Sequence, residues 1–430
     1  MNTDHLYQIF RQSTGVSTDS RRVRKGELFF ALWGDNYNGN EFAAEALEKG
    51  ASWAVIDDPA YESEKTILVD DCLFELQALA THYRKELRVP VLAITGTNGK
   101  TTTKELIAAI AEKKYRVHST KGNFNNTIGV PLTILAAPAD TEMMVLELGA
   151  SHIGEIRTLC LIARPDYGII TNIGTSHIEG FGSFEGVVKA KTELYEYLRK
   201  VNGIALYNDR DPILTEKIFK LVNRAVPLSD PTGTELKVTL LSSGLNLEIE
   251  VYHNHKTFRI KSKLFGKYNL ENIRTAIATG LFLDVEMEDI ADAVEKYEPV
   301  NNRSQVRKTA DNTVICDSYN ANPASMRLAV GSFAETGSDK KMVILGDMLE
   351  LGERSDEEHI SILKELGKMR NTEVLLVGRL FAKHAADYGF RTFPSMNSLM
   401  EHLKANPVKG YLVLVKGSRG IALEKAYELL

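Results

Sequence analysis

From Val91 onward the chain alternates short apolar, β-rich runs with helix-length amphipathic stretches, and that rhythm restricts the fold more than any other feature. Val91–Thr95, Met143–Leu148, Tyr167–Thr171 and Gly203–Tyr207 read as strands, with helical patterns such as Thr102–Lys113 and Phe184–Arg199 between them. Strands apolar on both sides need cover on both faces, and parallel pairing needs a long crossover. A parallel sheet layered by helices follows. The rhythm resumes after Pro299-Val300-Asn301-Asn302, with strands at Thr313–Cys316, Met342–Leu345, Val374–Val377 and Tyr411–Val415. Pro323, preceded by Asn322, marks a helix start in that second unit.

Residues from about 226 to 264 break the pattern. Leu236–Leu241, Leu245–Tyr252 and Thr257–Lys263 read as antiparallel strands, the last two joined across His253-Asn254-His255-Lys256. That tip reads as a polar hairpin turn rather than a histidine metal pair. Before Val91 the chain mixes turns with strands at Glu27–Leu32 and Ala54–Asp57, and Asn40–Lys49 reads as a helix burying Phe42, Ala46 and Leu47. A chain of 430 residues accommodates about three domains. The predicted fold is therefore α/β with domains at 1–88, 89–302 and 303–430. The central one is a P-loop-type parallel sheet with a small antiparallel β insertion, and the last is Rossmann-like.

Composition excludes several classes of function. At 43% hydrophobic and 25% charged residues the chain matches ordinary globular proteins, not disordered ones. Lys and Arg total 52 against 57 for Asp and Glu, which leaves no global charge to attract nucleic acid. No apolar run approaches the roughly 18 residues of a membrane span, so no membrane insertion is expected. The start Met1-Asn2-Thr3-Asp4-His5 lacks a basic and apolar leader, which points to the cytoplasm. Cys72, Cys160 and Cys316 are unclustered, arguing against disulfides or a zinc knot.

Ligands of open α/β sheets gather beyond the carboxyl ends of the strands. There the first central strand runs into Thr95-Gly96-Thr97-Asn98-Gly99-Lys100-Thr101-Thr102 and then a helix. Gly96, Thr97, Asn98 and Gly99 let backbone N–H groups close around phosphate, Lys100 adds a point charge, and Thr101 offers a hydroxyl to Mg²⁺. The loop is shorter than the general P-loop, with its first glycine two residues late. Glu147 and His177 follow neighbouring strands and are placed to complete a Mg²⁺ site on a triphosphate. In the helix Phe184–Arg199, Val188, Lys191, Tyr195 and Leu198 share an apolar face, while Lys189, Glu193, Glu196 and Lys200 share a solvated one. Lys191 thus projects from the apolar stripe, where an unpaired ammonium is costly. It is read as a lysine directed at the phosphate site and open to modification.

These residues resemble the ATP-dependent Mur ligases of peptidoglycan synthesis. Thr18-Asp19-Ser20-Arg21-Arg22-Val23, with Gly26-Glu27-Leu28-Phe29-Phe30-Ala31-Leu32, is similar to that family's uridine-nucleotide-binding start. Lys121-Gly122-Asn123-Phe124-Asn125-Asn126-Thr127-Ile128-Gly129 resembles its peptidyl-substrate loop. Tyr268-Asn269-Leu270-Glu271-Asn272 is similar to its adenine-side motif, and Arg303 to an arginine that reaches the nucleotide phosphates. Asp317-Ser318-Tyr319-Asn320-Ala321-Asn322-Pro323-Ala324-Ser325-Met326, Leu345-Gly346-Asp347-Met348-Leu349-Glu350 and Val415-Lys416-Gly417-Ser418-Arg419 resemble the branch that adds D-alanyl-D-alanine. One departure is Asn38-Gly39-Asn40, where the family often has Asp-Gly-His.

The resemblance implies a monomeric ligase that uses ATP and Mg²⁺ to join D-alanyl-D-alanine to UDP-N-acetylmuramoyl-tripeptide through an acyl phosphate. It implies ATP contacts from Gly96 to Thr102, Asn272, Arg303 and Asp317, with Lys100, His177 and Lys191 catalytic. Thr101, Glu147, His177 and Lys191 would hold metal, and some relatives carry a carbamylated lysine at the position matching Lys191. Asp19, Ser20, Arg21, Asn123, Asn126 and Thr127 would meet the uridine nucleotide peptide, and Asn320, Asn322, Ser325 and Arg419 the acceptor. The competing readings are another Mur-type amino-acid ligase, folylpolyglutamate synthetase, or a P-loop hydrolase, though no Asn-Lys-x-Asp motif is present.

Overall fold

The computed structural model describes residues 3–174, 178–300 and 302–430. The chain begins with a four-stranded parallel sheet ordered Val16–Ser17, Leu28–Phe30, Trp53–Ile56, Thr66–Leu68. The helix expected over Asn40–Lys49 is shorter: a 3-10 turn over Gly39–Phe42 precedes an α-helix over Ala43–Glu48. Its buried residues are Ala43 and Ala46, while Phe42 is exposed. The cause is the Asn38-Gly39-Asn40 knot. Asn40 Nδ2 donates to Asn38 Oδ1 and Asp57 Oδ1, both at 2.8 Å, and Asn40 Oδ1 accepts from Asp57 N at 3.0 Å. That tightens the entry and delays the helical period.

Helix Cys72–Leu87 is capped by Asp71, which accepts from Phe74 N at 2.8 Å. Its Leu76, Leu79 and Tyr83 enter one continuous core with Ala93, Leu146, Ile156 and Leu194. The first and central sheets therefore share a core. Each fully buried leucine stabilises it by roughly 2 kcal/mol, so this junction resists opening.

The central sheet has six parallel strands in the order Arg224–Pro227, Ile204–Tyr207, Tyr167–Ile170, Val91–Thr95, Met143–Glu147, Val117–Ser119. Its register sets Ile94 opposite Glu147 and Thr95 opposite Ile170, so three strand ends converge where the glycine loop starts. The insertion is a three-stranded antiparallel sheet, Leu236–Ser243, Leu247–His253 and Lys256–Ser262. Asn254 and His255 form its two-residue turn with φ of +46° and +63°, the geometry a hairpin turn of this length favours. Val238, Ile249 and Ile260 pack with Leu106, Ile107 and Ile110 on the helix that follows the glycine loop.

The last sheet is ordered Gln305–Lys308, Thr313–Asp317, Leu412–Lys416, Lys341–Gly346, Thr372–Val377, Arg391–Phe393. All neighbours are parallel except the first pair. The antiparallel Gln305–Lys308 strand is an addition to the expected alternation, and its polar sequence suits a sheet edge. Phe265, from the stretch after the insertion, is buried with Ile315 and Phe333 in the last domain's core. Among the described residues no helix is long and apolar enough to cross a membrane.

Candidate active site

The glycine loop needs glycine at two positions. Gly96 has φ of +141°, and a Cβ there would lie 2.0 Å from Thr171 Oγ1. Gly99 has φ of +78°, and a Cβ there would lie 2.2 Å from Asn272 Oδ1. Both close approaches serve to fasten the loop. Thr171 Oγ1 and Asn172 Nδ2 donate to Asn98 O at 2.7 and 3.0 Å, and Asn98 N donates to Asn172 Oδ1 at 3.0 Å. Thr103 Oγ1 donates to Asn272 Oδ1 at 3.2 Å. The loop opens the helix Lys100–Ala111, whose first turn leaves N–H donors and a positive dipole end for an anion.

Lys100 folds over this loop, its Nζ donating to Gly96 O at 2.7 Å and Thr97 O at 3.1 Å. Burial lowers its pKa, opposed by the nearby Glu147 charge and assisted by that of Arg303. Glu147 is itself buried. One oxygen accepts from Asn125 Nδ2 at 2.8 Å, while Oε2 is buried with no hydrogen-bond partner among the described residues. An orphaned carboxylate oxygen carries a desolvation penalty that a hard cation removes, so this residue fits a Mg²⁺ ligand, together with the Thr101 hydroxyl.

Lys191 is 2% exposed. Its Nζ lies 5.4 Å from the Phe181 ring centroid, and burial followed by the charge of Lys100 pushes its pKa down to about 7. The companion expectation for this helix needs correction. Glu193 does not face solvent but is 1% exposed, accepting from Gly154 N at 2.8 Å and Arg157 N at 2.9 Å. It caps the helix Glu155–Ala163 from outside that helix, satisfying amides that would otherwise be orphaned.

The facing wall comes from the last domain. Asn322 caps helix Pro323–Ala334, accepting from Ser325 N at 2.8 Å, while its own N–H donates to Ser325 Oγ at 3.1 Å. Its Nδ2 donates across the cleft to Asn98 Oδ1 at 2.8 Å. Asp317 accepts from Ser304 N at 3.0 Å and from Lys416 Nζ at 2.7 Å, the two strands setting Asp317 opposite Lys416. Asn320 Oδ1 accepts from Ala321 N at 2.9 Å.

These groups line one cleft of about 310 Å³ between the central and last domains. It brings together Thr97 to Thr102, Asn123, Glu147, Asn272, Arg303, Asp317, Asn320, Asn322 and Ser325. Gly96, Asn126, Thr127, Lys191 and Arg419 do not line it, and neither do Asp19, Ser20 and Arg21 of the first domain. Asp19 caps the turn Ser20–Arg22 and pairs with Arg21 Nε and Nη2, both at 2.9 Å, which holds its carboxyl down at about 2. Ser20 Oγ stands 3.4 Å from Glu45 Oε2. Asn126 Oδ1 accepts from Gly129 N at 2.8 Å, and Thr127 O accepts from Gln77 Nε2 at 3.0 Å. His177 lies outside the described residues. Sequence reasoning missed Asn125, Tyr319 and Lys416, all of which line the cleft. Lys416 could have been found from its strand-end position beside Asp317. A larger cavity, about 520 Å³, opens at the opposite end of the central sheet around Arg84. There Arg84 is occupied by Ala163 O, Arg164 O and Asp166 Oδ2.

Family models match along most of the chain: Mur ligase family, catalytic domain, at residues 12–115; Mur ligase middle domain at 94–280; and Mur ligase, glutamate ligase domain, at 302–419. The chain is 37% identical to the UDP-N-acetylmuramoyl-tripeptide–D-alanyl-D-alanine ligase of Bacillus subtilis, over 96% of this chain and 92% of that protein. The chain belongs to the Mur ligase family. The Escherichia coli ligase of the same name is 31% identical over 96% of this chain and 93% of its own. Among solved Mur ligases, MurF from Acinetobacter baumannii superposes with a TM-score of 0.85 at 27% identity, covering 99% of this chain and 97% of that one. MurF from Thermotoga maritima in complex with ADP superposes with a TM-score of 0.82 at 28% identity, covering 98% and 97%. The folylpolyglutamate synthase of Mycobacterium tuberculosis shares the fold alone, at 15% identity and a TM-score of 0.63 over 83% of this chain and 93% of that one.

Proposed function

We propose that this Mur ligase joins D-alanyl-D-alanine to a UDP-N-acetylmuramoyl tripeptide, using ATP, as a cytoplasmic monomer. The observation that carries the reading is its near full-length similarity to ligases named for that reaction. The cleft supplies matching chemistry. A free carboxylate acylates amines poorly because its leaving group is oxide. Transfer of the γ-phosphoryl group of ATP to the tripeptide's terminal carboxylate makes an acyl phosphate and ADP. The amine of D-alanyl-D-alanine then attacks the carbonyl carbon, the C–O bond to phosphate breaks, and the amine loses a proton. Folylpolyglutamate synthesis is not favoured, since that likeness is confined to the fold.

In this reading the amides from Gly96 to Thr102 and Asn272 hold the nucleotide, and Arg303 and Asp317 meet it from the last domain. Lys100 neutralises the γ-phosphate, which otherwise repels the carboxylate nucleophile. Thr101, Glu147, His177 and Lys191 would hold Mg²⁺, which supplies Lewis-acid charge on the phosphates when bound. Asp19, Ser20 and Arg21 bind the uridine nucleotide, Asn123, Asn126 and Thr127 its peptide, and Asn320, Asn322, Ser325 and Arg419 the acceptor. The two walls meet at the Asn322–Asn98 bond, so closure excludes water that would hydrolyse the acyl phosphate. The function is tested by phosphate release, which should require both the nucleotide peptide and D-alanyl-D-alanine. Release independent of the acceptor would refute it.

Lys191 is proposed to be carbamylated. Carbon dioxide adds to a neutral amine, giving a carbamate and a proton. An ordinary lysine, with pKa about 10.4, offers little neutral amine near neutrality. Burial and the charge of Lys100 push the value down to about 7, so neutral amine becomes available there. At constant dissolved carbon dioxide the modified fraction should rise as pH increases through 7 and fall below it. Bicarbonate labelled with ¹³C should give a carbamate resonance in the wild type that Lys191→Ala lacks. Identical spectra would remove the carbamate from the account.

A further inference from the structure

Two guanidinium groups share one aromatic ring beside the cleft. Arg303 Cζ lies 3.5 Å from the Tyr319 ring centroid, and Arg419 Cζ lies 5.3 Å from it. The partners reach the ring from separate parts of the chain. Arg303 lies in the link into the last domain, just before strand Gln305–Lys308, and Arg419 follows strand Leu412–Lys416. Tyr319 sits between strand Thr313–Asp317 and helix Pro323–Ala334. Its backbone N–H donates to Asn302 O at 3.2 Å, which ties the ring to the residue before Arg303. Arg303 and Tyr319 line the cleft with Lys100, and Arg303 Nε is buried with no hydrogen-bond partner among the described residues.

Like charges repel, and each arginine side chain loses considerable rotamer freedom when fixed. An aromatic face offsets both costs, because its quadrupole attracts a cation and its flat surface matches a guanidinium plane. Stacking also leaves the N–H edges of the guanidinium available to an anion.

We propose that Tyr319 is a positioning residue that holds Arg303 for the nucleotide phosphates and Arg419 for the acceptor carboxylate. The ring thereby makes the two anion contacts depend on each other. This inference rests on the ligase reading above for the identity of the two anions. Loss of the ring releases both arginines together, whereas loss of a merely structural tyrosine has no reason to move the two substrate affinities in step.

The test measures KM and kcat for ATP and for D-alanyl-D-alanine separately. Tyr319→Leu should raise both KM values by roughly tenfold, with a smaller change in kcat. Tyr319→Phe keeps the ring and should restore both. Unmoved KM values in the leucine variant, a rise in only one of them, or a phenylalanine variant as impaired as the leucine one would each overturn the proposal. Should the leucine variant not fold, Arg303→Lys and Arg419→Lys keep the tyrosine and the charges but remove the guanidinium contacts with the ring. Combined, they should change the KM for ATP by less than the product of the single effects, since they share one ring. Multiplicative effects would overturn the shared platform. Wild-type protein with no acceptor-dependent phosphate release would instead bring down the ligase reading itself.

Discussion

Lys100→Ala should reduce ligation by about two to three orders of magnitude while leaving the fold intact. Removing one preorganised charge contact to a developing oxyanion typically costs on the order of 3–4 kcal/mol in the transition state. The fold is spared because, among the described residues, the Lys100 ammonium hydrogen-bonds to two carbonyls of its own loop, Gly96 O and Thr97 O. The apolar residues beneath, Leu106, Ile107 and Ile110, do not depend on it. Phosphate release at saturating ATP measures the effect, with circular dichroism as the fold control. A variant keeping more than half of wild-type turnover would remove Lys100 from phosphoryl transfer.

Asp317→Ala should lower stability more than any other single change in the cleft. Lys416 is almost fully buried, with its side chain 3% exposed, and its ammonium is 2.7 Å from Asp317 Oδ2. Removing the carboxylate leaves a buried charge without its counter-ion, which typically costs about 3–5 kcal/mol, and also strips Ser304 N of its acceptor. Thermal unfolding should shift down by roughly 10 °C or more. Asp317→Ala combined with Lys416→Met should recover much of that loss, because the stranded charge is gone, without recovering activity. A single variant melting within about 2 °C of wild type would show that the pair does not hold the wall of the cleft.

The legible parts of the molecule were those whose signal is local. Val91–Thr95 followed by Gly96 and Gly99 specified strand, loop and helix, because alternation and positive φ are properties of neighbouring residues. The N-cap at Asn322 was legible for the same reason. Glu193 was misread because helical periodicity assigns it to the outer face, while its partners, Gly154 N and Arg157 N, belong to another helix that folding brings against it. Phe42 was misplaced because the side-chain knot at Asn40 offsets the start of the helix. Tyr319 and Lys416 stood inside motifs that were noticed, yet their roles depend on partners about a hundred or fewer residues away, Arg419 and Asp317. Asp317 in turn was read as a nucleotide contact, and the structure adds that it holds Lys416 and Ser304 in place.

The most direct test of the account is acceptor choice, measured as kcat/KM for phosphate release with one nucleotide tripeptide. D-alanyl-D-alanine, D-alanine and glycine are compared in turn. The dipeptide places its carboxylate one residue beyond the attacking amine and adds a second methyl group. Single amino acids lose both the methyl burial and the alignment of a charged contact, worth together several kcal/mol. The expected result is a preference for the dipeptide of at least about a hundredfold, with no release when the acceptor is omitted. Comparable kcat/KM values for all three acceptors would contradict it.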